Sequence, residues 1–225
     1  MPAPAHTRFY IVFMVSFLSV FLVFFGAGTQ AQDMPFTKKQ TLEGAPKQQA
    51  TGQVERYLNN LQTFAARFEQ TVAGNATSTG AFYFKKPGRF LWHYLQPEPA
   101  KLVSSGGTIY FHDETSNQTT QVPRKGLADL LTRREIDLSG ENFNVEDVYK
   151  KGGLLYVTIG IADVAEGDIG GQLQLTFLQN PMQLRQITTI NQMGQPVEVL
   201  FYNIRENKPV PDDVFDFTPF HYREN

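Results

Sequence analysis

His112, Asp113 and Glu114 stand side by side and form a run of metal-ligand residue types. Three consecutive residues at a hairpin end point in different directions, so solvated turn residues account for them better than a metal site does. His93 falls between Trp92 and Tyr94, on the opposite strand face from both, where a hydrogen-bonded structural histidine is the plainer reading. His6 lies in a candidate leader, and His221 lies four residues from the end of the sequence. The sequence shows no G-x-S-x-G elbow, G-x-x-x-x-G-K-[ST] loop, G-x-G-x-x-G after a strand, or H-E-x-x-H. Ser104-Ser105-Gly106-Gly107, Gly152-Gly153 and Gly170-Gly171 read as turns rather than anion cradles. Glu141 and Glu146-Asp147 have no partner at an acid–base spacing. The expectation is a protein that is not an enzyme, with no catalytic residue, no metal ligand and no cofactor.

The aromatic residues are a better lead, because 19 Phe, 9 Tyr and 1 Trp are present and many alternate along strand-like segments. Short strands are predicted over 80–86, 90–95, 101–105 and 108–113, divided by Pro and Gly turns. Such spacing allows antiparallel hairpins and leaves no room for parallel crossovers. Leu155, Val157, Ile159 and Ile161, then Leu173, Leu175 and Phe177, then Val197, Val199 and Phe201 continue the pattern, and Phe215 and Phe217 end it in the same manner. These alternations predict a curved antiparallel sheet with a single apolar side.

Helical signals are fewer. Val54, Tyr57, Leu58, Leu61, Phe64, Ala65, Phe68 and Val72 recur at three- and four-residue steps, which predicts an amphipathic helix of about five turns. Leu127, Ala128, Leu130 and Leu131 give a short helical stripe, and Phe143, Val145 and Val148 suggest a second short turn or helix. The insertion at 122–151 is either a covering element or a plain crossover. One long helix and one short one are little cover for so many strands, and a half-covered apolar face must close on itself or bind something.

Residues 9–25 are an apolar run broken only by Ser16 and Ser19, followed by small and polar residues to Ala31. This predicts a signal peptide, 1–31, cleaved after Ala31, with a retained anchor as the competing reading. Cleavage leaves 225 − 31 = 194 residues and, with Arg8 lost, moves the net charge from −2 to −3. A flexible lead-in is expected over 32–52 and one domain over 53–225. A slightly acidic chain lacks a polyanion footprint, which argues against nucleic acid. With no cysteine, no disulfide and no lipid attached to an N-terminal cysteine can form.

Residues 80–107, GAFYFKKPGRFLWHYLQPEPAKLVSSGG, resemble the outer-membrane lipoprotein carrier family, LolA. A strand, a basic residue before Pro, an F-x-W-H core, a Gln-Pro turn and an L-V-S-x-G strand follow in that family's order. Phe215-Asp216-Phe217-Thr218-Pro219 is similar to its F-x-F-T-P close. The resemblance implies a mainly β, α+β fold: an unclosed, strongly curved antiparallel barrel of about eleven strands, with an N-terminal helix and a helical lid over an apolar cavity. It further implies a monomeric periplasmic chaperone that takes acylated lipoproteins from an inner-membrane ABC transporter to an outer-membrane lipoprotein receptor. A lipid or lipoprotein sensor of related fold is the alternative. Carried over by position, the ligand-binding residues are Phe84, Phe90, Trp92 and Leu102, and the lid and latch are Lys86, Leu127, Leu130 and Leu131. Lys86 stands where the family has arginine, and six residues follow Pro219 where some members carry a longer extension.

Overall fold

Ala50, Val54 and Leu58 recur every four residues and form the buried side of helix α1, Gly44–Asn60. Pro46 is tolerated because it sits in the first turn, where its missing N–H breaks no bond. The helix ends where Leu61 N–H reaches Tyr57 O at 3.0 Å and the chain turns extended. The computed structural model describes residues 38–218 except 106, 125–126, 162–171 and 191–193, and does not describe the side chains of 76, 77, 105, 129, 131, 132 and 161. All described residues fall in one compact unit, Met34–Asn225. The expected leader, 1–31, lies outside the described residues.

Twelve strands make one antiparallel sheet. In chain order they are β1, Gln40–Thr41; β2, Thr63–Val72; β3, Asn75–Lys85; β4, Arg89–Gln96; β5, Ala100–Ser105; β6, Thr108–Asp113; β7, Gln118–Val122; β8, Phe143–Lys151; β9, Leu154–Ile161; β10, Gln172–Gln179; β11, Met182–Ile190; and β12, Pro196–Glu206. The spatial order is β1-β8-β9-β10-β11-β12-β2-β3-β4-β5-β6-β7, so the curved sheet stays unclosed, with β1 and β7 at its ends. A short helix, α2, Leu127–Thr132, lies between β7 and β8. Since those two strands belong to opposite ends of the sheet, their connection is a crossover; it also brings Leu130, Ile136 and Leu138 into the main core.

Four expectations need correction. The helix runs Gly44–Asn60 rather than to Val72, so it begins inside the stretch expected as a lead-in and ends before Phe64. Phe64, Phe68 and Val72 belong to β2, where Phe64, Ala66 and Phe68 enter the main core while Ala65 is buried on the other face. A strand buried on both sides loses its two-residue signature, and its apolar positions then mimic a helix. Phe143, Val145 and Val148 lie on β8, whose register shifts between Val145 and Asp147. That irregularity broke the alternation. Phe215 closes a 3-10 turn, Asp212–Phe215, rather than a strand.

The sheet also has apolar residues on both sides. Leu91, Val103 and Ala65 form a second buried cluster with Val210 and Phe215, against which Tyr83 and Tyr110 pack. The C-terminal segment is pinned there through Asp212, which pairs with Arg89 at 2.9 Å and also with Lys85. The Arg89 guanidinium lies 5.6 Å from the Phe215 ring centre. The main core fills the opposite, concave side.

Candidate functional site

The concave side is built from rings. Phe82 and Trp92 pair across β3 and β4 with ring centres 4.7 Å apart, and Phe68, at 5.4 Å, and Phe201, at 6.1 Å, complete the surround of Trp92. Phe64 meets Phe201 edge-on at 5.3 Å. Each tilted or edge-on contact adds about 0.5–1.5 kcal/mol beyond area burial.

Toward the helices the packing loosens into a cavity of about 40 Å³ lined by Leu58, Phe82, Phe84, Lys86, Leu127, Leu130 and residues of β10 and β11. It therefore brings together four of the residues singled out in the sequence: Phe84, Lys86, Leu127 and Leu130. Phe90 and Trp92 lie in the same apolar cluster without lining the cavity, fully buried or nearly so, and Leu102 packs half-buried against that cluster. The side chain of Leu131 lies outside the described residues. A water needs about 10–15 Å³ and a drug-sized ligand about 300–1,000 Å³, so the cavity as it stands is far smaller than an alkyl chain requires.

Polar bonds at one end of α1 fasten that cover. Lys86 Nζ donates to the carbonyls of Leu58, at 2.9 Å, and Asn59, at 3.3 Å. These are last-turn carbonyls without intrahelical partners, at the negative end of the helix dipole. Burial holds the Lys86 ammonium below the usual 10.5, and the carboxylate of Glu135 works against that shift. The recorded bonds of Lys86 thus run to α1 rather than to α2, where the sequence reading put the lid.

Residues after α2 are tied to α1 instead. The Asn59 side chain donates to Ile136 O at 2.8 Å and accepts from Ile136 N–H at 2.9 Å, in the manner of a strand partner. Glu55 Oε2 accepts from Leu138 N–H at 2.9 Å. Tyr57 O–H donates to Glu206 at 2.6 Å and accepts from Leu184 N–H at 3.0 Å, joining α1 to β11 and β12. Burial pushes the Tyr57 hydroxyl up, and the bond to Glu206 adds to that. Burial also raises the Glu206 carboxyl above 4.5, although the Tyr57 hydrogen bond opposes it. Sequence reasoning missed Glu55, Asn59 and Glu206, because their partners lie 77 to 149 residues away. Tyr57 was legible only as part of an apolar stripe.

The two histidines among the described residues are hydrogen-bonded: His93 Nε2 lies 3.3 Å from Glu114, which also pairs with Lys101, and His112 Nδ1 lies 3.0 Å from Thr119; His6 and His221 lie outside the described residues. Among the described residues no group of three His, Cys, Asp or Glu could hold a metal ion. Ser104 Oγ donates to Gly88 O at 2.7 Å.

Comparison with known proteins bears on what this interior does. The family model described as outer membrane lipoprotein carrier protein LolA matches residues 59–218. An outer-membrane lipoprotein carrier protein of Methylococcus capsulatus is 27% identical over 176 residues, covering 74% of this chain and 82% of the relative. One from Azotobacter vinelandii is 31% identical over 175 residues, covering 71% of this chain and 79% of the relative. Among solved structures, a LolA superfamily protein from Nitrosomonas europaea aligns with a TM-score of 0.39 and 8% identity, covering 74% of this chain and 97% of that one. Because the family model's match takes in more than two thirds of the chain, the chain belongs to the LolA family of outer membrane lipoprotein carriers.

Proposed function

We propose that the protein is a periplasmic, monomeric carrier that shelters the acyl chains of lipoproteins on the concave side of its sheet. In this reading it receives them from an inner-membrane ABC transporter and delivers them to the outer membrane, to a receptor where one is present. The observation that carries the reading is the apolar cavity under a hydrogen-bonded cover. Phe82, Phe84, Leu127 and Leu130 give it greasy walls, and a few polar bonds around Lys86, Asn59 and Tyr57 hold it shut. The names of the curated relatives point the same way.

Magnitudes favour such a device. Each methylene leaving water gains about 0.8 kcal/mol, so an acyl chain of about fifteen methylenes gains about 12 kcal/mol. Each fastening hydrogen bond is worth about 1 kcal/mol net. One chain therefore outweighs the hydrogen bonds alone, and two or three also offset the burial that Leu58, Leu130 and Ile136 lose when α1 and the 133–138 segment lift. Release uses the opposite bias: once an acceptor takes the chains, Leu58, Leu130 and Ile136 return to burial and Lys86 recovers its carbonyls.

The test uses bacterial spheroplasts that retain lipoproteins in the inner membrane. Adding the purified protein is expected to release outer-membrane lipoproteins as soluble one-to-one complexes. If all of them stay in the membrane while a characterised carrier releases them, the proposal fails.

A further inference from the structure

Two buried side-chain polar atoms have no hydrogen-bond partner among the described residues: Trp92 Nε1 and Thr176 Oγ1. Trp92 is 5% exposed and sits inside the concave cluster beside Phe82, which lines the cavity. Its N–H is a donor only and cannot turn to accept. Three aromatic rings, of Phe68, Phe82 and Phe201, surround the indole at 4.7 to 6.1 Å, and a ring face is a second-order acceptor at best. A donor left unpaired in an apolar interior lowers stability, whereas a phenylalanine there would fill much of the same space without that loss.

The neighbouring polar group is already engaged. Two residues further along β4, Tyr94 O–H donates to Gln70 Oε1 at 3.1 Å, and burial pushes its hydroxyl up to about 12. Trp92 therefore holds the spare donor on this wall. Its depth is suggestive as well. Phe84 pairs with Phe90 and Phe82 with Trp92, which puts the indole one inward-facing level, about 7 Å along the strand, beyond the level next to Lys86.

We propose that Trp92 Nε1–H reads the acyl carbonyl: in the loaded protein it donates a hydrogen bond to an ester or amide carbonyl oxygen of the bound chain. This rests on the carrier reading above. The alkyl part then runs on from that anchor toward Leu175, Leu184 and Ile187 on the far wall, and the bond fixes how deep the chain sits. The interior thereby distinguishes acyl chains from alkyl chains of the same length, which area burial alone cannot do.

Dioctanoylglycerol and its ether analogue dioctylglycerol differ in the carbonyls and have matched tails. The purified protein is expected to bind the ester about three- to tenfold more tightly, the worth of one hydrogen bond. Trp92→Phe, which removes the donor and keeps a ring, should bring that ratio to one or below, since the ester carbonyl is then buried without a partner. A general loss of packing lowers both affinities and cancels in the ratio. Because the chain has 1 Trp, its single indole N–H resonance gives a second readout without any substitution, and it should move downfield with the ester and much less with the ether. Equal affinities for the two lipids, equal resonance shifts, or a ratio unchanged in Trp92→Phe would overturn the inference and leave carriage standing. Binding of neither lipid would overturn the carrier reading and this inference together.

Discussion

Lys86 and Glu206 show how single groups set the strength of the cover. Lys86 caps carbonyls that a helix cannot satisfy by itself, and a hydrogen bond from a charged donor is worth about 1.5–3 kcal/mol. Lys86→Met should accelerate amide hydrogen exchange at the end of α1 by roughly tenfold or more and leave β2 to β4 protected, while Lys86→Arg should largely preserve protection. Unchanged exchange in Lys86→Met would mean the ammonium fastens nothing. Glu206 acts in the other sense. Its carboxyl is raised above 4.5 by burial, so the folded state disfavours the carboxylate: stability falls as pH rises from 4.5 through the folded value, and the loss persists above it. Glu206→Gln keeps an acceptor for Tyr57 and removes that charge. It should therefore raise the melting temperature at pH 8 and change it little at pH 4, and an equal effect at both would refute the assignment. Neither role could be read from the sequence with its partners, since a basic residue before Pro and a Glu ending a strand say nothing of the helix end they face.

At the level of elements, α1 and the 133–138 segment are tied together, because Asn59 copies a strand's hydrogen bonding to Ile136 and Glu55 holds Leu138; in the proposed carrier they would lift as one lid. Asn59→Ala leaves two buried backbone groups of Ile136 unpaired, at about 1–3 kcal/mol. The expected outcome is faster exchange at Ile136 and Leu138 and earlier proteolysis near Arg133, with the sheet intact. Global unfolding at the same rate as local exposure would show that the lid is not a separate unit. Strands β3 to β6 were legible because Pro and Gly turns divide them, whereas β2 and β8 were not. In β2 two-sided burial, and in β8 a register shift, replaced the two-residue period with spacings that also fit a helix. Gly80 marks another constraint. A Cβ there would collide with His93 O and stand 2.6 Å from the Phe68 ring, so Gly80→Ala should lower the denaturant midpoint by an amount worth about 1–3 kcal/mol or more. A neutral substitution would show that β3 and β4 can separate freely at that point.

Across the whole molecule, the twelve strands leave one concave wall whose rings are fixed and whose cover is fastened by exchangeable polar bonds. The outer side of β3 to β6, which would otherwise expose Tyr83, Leu91, Val103 and Tyr110, is occupied by the C-terminal segment through Val210 and Phe215. The main cluster lies on the other side of the sheet, where the proposed ligand would bind, and this division was invisible in the alternation pattern, which predicted one apolar side only. With a cavity of only about 40 Å³, the proposed carriage requires movement: α1 and the 133–138 segment must lift away from Phe84 before acyl chains enter. The most direct test places a photo-crosslinking phenylalanine analogue at Phe84 or Leu127 on the inside, or at Leu200 or Tyr202, which are exposed among the described residues, and irradiates each protein with a triacylated lipopeptide. Crosslinks to the acyl chains are expected from Phe84 and Leu127 and none from Leu200 and Tyr202. Crosslinks from Leu200 and Tyr202 with none from Phe84 and Leu127 would contradict the proposed carriage.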